Sequence, residues 1–357
     1  MTNPVPIDRT HGGDQPRGII DCSVSINPLG PPPGAVDAYR AALTRITSYP
    51  PPKSAALEKR LATWFGVEPR NVLAANGTTQ LIYLLARVLE PARPFVVVPT
   101  FSEIANALAG EGLPPEPILL APERQYRLDL PQIDAALAGH AGAIFLGRPN
   151  SPTGTIVTML EIGEIAARCQ RRGCWYVLDE AFIDFVDPPD SAVQMATQNP
   201  RVIVLRSLTK SFAIPGLRLG CVVAADEVVD ALRNAIEPWS VNVVAESVGL
   251  ACLEHADEYL SRTRALIATE RAYLAEGLVK VAGVRVFPSV ANFLLLEVAD
   301  EISPGRFGAH MLSQGIAVRD LRTMPGCKVG LYRVGVRNRQ DNERVVNEAQ
   351  KWRGTRR

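Results

Sequence analysis

The sequence predicts an α/β protein with a mostly parallel central sheet and a smaller α+β domain in its C-terminal part. The first observation is a set of short runs that are apolar on both faces, as in strands of a helix-covered sheet: Phe95-Val96-Val97-Val98, Ala143-Ile144-Phe145-Leu146, Trp175-Tyr176-Val177-Leu178, Val202-Ile203-Val204-Leu205 and Cys221-Val222-Val223. The second is that stretches of helical period, such as Met159 to Arg172, lie between them. The third is a long amphipathic stretch, Asp257 to Val281, followed by strand-like Val284-Arg285-Val286-Phe287, Phe293-Leu294-Leu295-Leu296 and Tyr332-Arg333-Val334-Gly335-Val336.

Taken in order, the first 52 residues are punctuated by Asn27-Pro28-Leu29-Gly30-Pro31-Pro32-Pro33-Gly34 and Tyr49-Pro50-Pro51-Pro52, which predicts an extended arm with one short helix. Ser54 to Phe65 and Thr78 to Leu89 follow as helices, and the strand and helix alternation then begins. The expected division is an arm over 1–52 associated with the small domain, a large domain over 53–256, and a small domain over 257–357.

The 357 residues are 47% hydrophobic and 21% charged, with a formal net charge of +1, which excludes extensive disorder and gives no global electrostatic footprint for nucleic acid or an anionic membrane. The basic tail Trp352-Arg353-Gly354-Thr355-Arg356-Arg357 reads as a frayed terminus. Cys22, Cys169, Cys174, Cys221, Cys252 and Cys327 show no zinc-site spacing, so they read as reduced thiols and no metal is expected. With no apolar run near the roughly 18 residues that span a bilayer and no apolar leader, a cytoplasmic protein is expected.

The informative polar residues follow predicted strands or open predicted helices, where ligands gather in open α/β sheets. Asn76-Gly77-Thr78-Thr79-Gln80 offers free N–H groups and hydroxyls to a phosphate, although capping alone explains such a start. Asp179 ends an apolar run; it suits a protonated ring nitrogen, or the cap of the next turn. In Arg206-Ser207-Leu208-Thr209-Lys210-Ser211-Phe212-Ala213-Ile214-Pro215-Gly216-Leu217-Arg218, Lys210 is an amine among apolar and hydroxyl groups, a setting that lowers its pKa and favours Schiff-base chemistry. Ser207, Thr209 and Arg218 suit a phosphate dianion.

The order Asn-Gly-Thr-Thr, Asn-Ser-Pro-Thr-Gly, Asp-Glu-Ala-Phe and Ser-Leu-Thr-Lys, with Arg218 eight residues after the lysine, resembles fold type I pyridoxal-phosphate enzymes of the histidinol-phosphate aminotransferase group over nearly the whole chain. The resemblance implies that Lys210 is the Schiff-base lysine, Asp179 the pyridinium partner and Phe101 the ring-stacking residue. It also implies that Gly77, Thr78, Ser207, Thr209 and Arg218 cradle the cofactor phosphate, and that Tyr49 reaches that phosphate from a neighbouring subunit, hence a homodimer with shared sites.

Two positions depart from the family pattern. Ser151 stands where an Asn usually binds the cofactor's 3-oxygen, with Asn150 before it, and either residue is able to serve. Phe182 replaces the usual Tyr three residues after the Asp. Asp-Glu-Ala-Phe-Ile-Asp-Phe in turn resembles a narrower branch, the threonine-phosphate decarboxylases of cobalamin synthesis, as do His11-Gly12-Gly13-Asp14, Ser25-Ile26-Asn27-Pro28-Leu29-Gly30, Pro238-Trp239-Ser240-Val241-Asn242, Ala291-Asn292-Phe293 and Val318-Arg319-Asp320. That likeness implies a small phosphorylated amino acid as substrate, with Arg333 on its carboxylate, Arg319 on its phosphate, and Asn27 and His11 as further contacts. The expected reaction is decarboxylation of L-threonine O-3-phosphate; the alternatives are a histidinol-phosphate aminotransferase and a ligand-binding protein without catalysis.

Overall fold

The computed structural model describes residues 4–299 and 304–352; the basic tail beyond Trp352 lies outside the described residues. The strands in chain order are β1 (Ile20–Asp21), β2 (Val72–Ala75), β3 (Pro94–Val98), β4 (Glu116–Leu119), β5 (Ala143–Gly147), β6 (Trp175–Asp179), β7 (Val202–Ser207), β8 (Gly220–Val223), β9 (Val284–Val286), β10 (Phe293–Val298), β11 (Ile316–Ala317), β12 (Arg319–Asp320) and β13 (Leu331–Gly335). Seven of them form the central sheet in the order β2-β8-β7-β6-β5-β3-β4. Every neighbouring pair is parallel except those made by β8, which runs antiparallel to both β7 and β2.

The apolar runs read from the sequence become the middle of this sheet because both of their faces are covered. Val97, Ile144, Leu146, Tyr176, Leu178, Val202 and Val204 point into one core. Their alternates Val96, Phe145, Val177, Ile203 and Leu205 point into a second core on the opposite face. Each fully buried side chain of this kind stabilises by roughly 1.5–3 kcal/mol before ordering costs, so a run with no polar residue on either side has one stable home, between two helix layers.

A second, antiparallel sheet takes the order β12-β13-β10-β9. Its core includes Phe293, Leu294, Leu296, Tyr332 and Val334, and it also receives Ala181, Phe182 and Phe185 from just beyond β6. The residues following Asp179 therefore tie the central sheet to the smaller one. The N-terminal segment lies against this part of the chain: β1 pairs with β11 in a separate two-stranded sheet, and the Gly335 N–H at the end of β13 donates to the Cys22 carbonyl at 2.8 Å. Its helix, Pro33–Ala42, opens on a proline whose fixed φ suits a first turn.

Candidate active site

The carboxyl ends of the central strands converge on a cavity of about 630 Å³ lined by residues from the central sheet, the smaller sheet and the N-terminal segment. Asp179 and Ser207 are the last residues of β6 and β7, and Asp179 is in register with Gly147, the last residue of β5. Phe101 follows β3, and Gly77 and Thr78 open the helix Gly77–Leu89. Side chains placed at these ends share one opening because parallel strands start and stop together.

Asp179 and Lys210 form the electrostatic centre. Burial raises the Asp179 pKa, while the Lys210 charge and the Ala181 N–H, which donates to Oδ1 at 3.0 Å, pull it back down. Burial pushes Lys210 from an ordinary 10.5 to about 8; Asp179 opposes that shift, and the charges of Arg218 and Arg333 add to it. Lys210 Nζ donates to Ser207 Oγ at 3.3 Å and lies 5.7 Å from the centre of the Phe182 ring.

The loops that carry these two residues are pinned by buried ion pairs. Arg148 and Glu180, both without exposed side-chain surface, pair at 3.0 Å, and Glu180 also accepts from the Ala192 N–H. Arg206 pairs with Asp184, which accepts from Ser211 Oγ at 2.6 Å. Buried pairs of this kind contribute little net stability, but loss of one partner leaves an uncompensated charge, so they fix the geometry around them.

An anion cradle lies beside Lys210. Gly77 has a φ of +79°, and a Cβ there would sit 2.8 Å from Arg218 Nη2, so only glycine lets the guanidinium reach the helix N-terminus. A Cβ on Gly220 would likewise meet the Thr78 backbone nitrogen at 2.8 Å, so the start of β8 presses against that same turn. Ser207 and Thr209 share a hydroxyl–hydroxyl bond of 2.8 Å next to it. Helix N–H groups, two hydroxyls and a guanidinium suit a phosphate dianion. With Phe101 on the cavity wall, Asp179 at the floor and a partly deprotonatable lysine, the residues fit pyridoxal phosphate.

Arg333 enters from the smaller sheet. Its Nη1 donates to Ser151 Oγ and its Nη2 to the Ser23 carbonyl, both at 2.8 Å, while its Nε has no partner. Burial lowers its pKa to about 10, with Arg319 adding to the shift and Asp21 opposing it. Asn150, by contrast, is turned away. Its Nδ2 is spent on the Pro99 carbonyl and Thr153 Oγ1, and its Oδ1 has no partner.

Not every residue singled out in the sequence reaches the cavity. Asn27 is not among the residues lining the cavity; its Nδ2 lies within hydrogen-bond distance of the Ser211 carbonyl, Tyr259 OH and Thr263 Oγ1, which braces the lysine loop. Ser25, two residues earlier, lines the cavity with a buried Oγ that has no partner. Arg319 lies beside Arg333 across the β12/β13 register, and its Nη2 donates to the Thr10 carbonyl. Tyr49 is 84% exposed, packs against Trp239 at 5.1 Å between ring centres, and is not among the residues that line the cavity of its own chain. His11 is in the cavity, with Nε2 2.9 Å from Glu103 Oε1. Arg9 and Glu103, which the sequence reading passed over, line it too.

Residues 17–348 match the family described as aminotransferase class I and II. The chain is 34% identical to the threonine-phosphate decarboxylase of Salmonella typhimurium over 94% of its own length and 91% of that protein. It is 35% identical to the histidinol-phosphate aminotransferase of Symbiobacterium thermophilum over 92% of its length and 89% of that protein. The crystal structure of the histidinol-phosphate aminotransferase from Clostridium acetobutylicum superposes with a TM-score of 0.86 at 23% identity, covering 93% of this chain and 98% of that one. No helix among the described residues is long and apolar enough to cross a membrane. The match to the family over residues 17–348, on a fold with an anion-suited cradle beside a buried lysine–aspartate centre, identifies the chain as a pyridoxal-phosphate-dependent enzyme of the aminotransferase class I and II family.

Proposed function

We propose that the protein decarboxylates L-threonine O-3-phosphate to 1-aminopropan-2-yl phosphate for cobalamin assembly, with phosphoserine as a second substrate. The observation that carries this reading is that Arg333 and His11 line one cavity. A guanidinium and an imidazole able to donate a hydrogen bond in one cavity suit a substrate with two anionic ends, a carboxylate and a phosphate. Arg319, whose charge is felt at Arg333, adds to the phosphate side from behind Thr10.

Gly77, Thr78, Ser207, Thr209 and Arg218 would hold the cofactor phosphate, Phe101 its ring face, Asp179 its ring nitrogen and Lys210 its aldehyde carbon, with Ser151 the nearer candidate for its 3-oxygen. When bound, pyridoxal phosphate supplies an electron sink for the bond broken at the α-carbon. Arg333, braced by Ser151, would hold the carboxylate and so set which bond at the α-carbon breaks. Lys210 would deliver from Nζ the proton that takes the place of CO₂. Its lowered pKa suits such a proton transfer near neutral pH.

We further propose a cytoplasmic homodimer with shared sites, an arm over 1–52, a cofactor domain over 53–256 and a small domain over 257–357. The dimer reading is supported by a row of exposed apolar residues, Val36, Tyr39, Leu43, Ile46, Tyr49 and Trp239. Such a patch suits a permanent interface. The second reading, a histidinol-phosphate aminotransferase, is favoured by the comparable identity to such enzymes. Supplying phosphothreonine with and without 2-oxoglutarate and scoring CO₂ against keto acid distinguishes the two.

A further inference from the structure

The segment from Val5 to Gly13 runs as a strap that brings Arg9, His11 and Gly12 to the cavity lining, and Glu103 is one of its anchors. On one side the strap bonds to the helix Glu103–Gly110: the Asp8 N–H donates to Asn106 Oδ1 at 3.2 Å, and Asn106 Nδ2 returns a bond to the Asp8 carbonyl at 2.8 Å. On the other side Arg319 holds Thr10, and the Gly13 N–H donates to Ser23 Oγ at 3.1 Å. His11 stands between these anchors with its ring centre 6.0 Å from that of Phe101.

Glu103 is buried, yet it is fully engaged. Its Oε1 accepts from His11 Nε2 at 2.9 Å and from Asn106 Nδ2 at 3.0 Å, and its Oε2 accepts from Tyr83 OH at 2.7 Å. Burial works to raise its pKa, but the bonds from Tyr83, Asn106 and His11 outweigh it and keep the carboxyl below its ordinary value. A carboxylate therefore faces the imidazole. A neutral ring that donates from Nε2 would offer only a lone pair at Nδ1, which repels an anion. A ring that donates from both nitrogens serves the carboxylate with one and an anionic ligand with the other.

We propose that Glu103 is a positioning residue for the phosphate end of the substrate, acting through His11 by fixing the orientation of its ring. This rests on the functional reading above. The test is a double-mutant cycle in the holoenzyme with Glu103→Gln and His11→Ala, each assayed on phosphothreonine and threonine. Affinity for 1-aminopropan-2-yl phosphate, measured by calorimetry, gives an equilibrium readout that needs no turnover.

Each single variant is expected to lower the ratio of kcat/KM for phosphothreonine over threonine about tenfold, the size of one charge-assisted hydrogen bond, chiefly through KM. On the His11→Ala background, Glu103→Gln is expected to add less than about twofold. Full additivity, or an equal loss on both substrates, overturns the proposal. If Glu103→Gln does not fold, Tyr83→Phe removes one anchor and keeps the charge, and the same split is expected at smaller size. A wild-type enzyme that releases no CO₂ from phosphothreonine overturns the functional reading instead; the cycle is then run on histidinol phosphate against histidinol, with the same two outcomes deciding it.

Discussion

Arg333 Nη1 donates to Ser151 Oγ at 2.8 Å, joining the smaller sheet to the loop after β5 across 182 residues of chain. Ser151 stands where the family usually has an asparagine, and its hydroxyl helps to aim the guanidinium. Ser151→Ala is expected to raise KM about tenfold, because a bond to a charged group is lost. Arg333→Lys is expected to cost more, since one ammonium cannot reproduce a fork that also holds the Ser23 carbonyl. Steady-state kinetics of both variants check this, and equal, small losses would contradict it.

The depressed Lys210 pKa makes a prediction for the apoprotein. The unfolded chain keeps this proton up to about 10.4, whereas the native chain releases it near 8. Between those values the unfolded state binds more protons, so stability rises with pH. Below about pH 8 the native state carries the full cost of the buried charge, at most on the order of 3 kcal/mol at 1.36 kcal/mol per unit. The stability of wild type relative to Lys210→Met is therefore expected to rise from pH 8 towards pH 10, as read from the gap between urea midpoints of both apoproteins. A gap independent of pH would contradict it.

Asp179→Asn is expected to retain the fold and to bind pyridoxal phosphate while losing roughly a hundredfold or more in turnover, the scale of one preorganised electrostatic contact. The Ala181 N–H still finds an acceptor in the amide oxygen, so the loop stays in place. Cofactor absorption and kcat, measured on one preparation, separate binding from turnover.

Tyr49→Phe is expected to weaken cofactor retention by about 1.5–3 kcal/mol if its hydroxyl reaches a partner's cofactor phosphate. Sedimentation of the wild-type enzyme should give a dimer. A fully active monomer excludes the arrangement.

Strands whose two faces are both buried were legible in the sequence: Val202-Ile203-Val204-Leu205 and Trp175-Tyr176-Val177-Leu178 read as uninterrupted apolar runs and lie in strands in the middle of the sheet. The edge strands were not. Val72-Leu73-Ala74-Ala75 has little β character, and Glu116-Pro117-Ile118-Leu119 carries a proline that only an edge tolerates. In the site, Lys210, Asp179 and the phosphate cradle stood out because their spacing in the chain is short and particular. Glu103 did not, because an acid in the first turn of a helix is explained by the helix dipole alone, and its partner His11 is 92 residues away. Asn27 was legible as special but not as a brace, since its three acceptors lie at 211, 259 and 263.

The most direct measurement follows phosphothreonine labelled at its carboxyl carbon through a single turnover in D₂O. The account predicts that the label leaves entirely as CO₂ and that 1-aminopropan-2-yl phosphate carries one solvent-derived deuteron at the former α-carbon, delivered by Lys210. Label retained in a keto acid, with the amino group left on the cofactor, would contradict it.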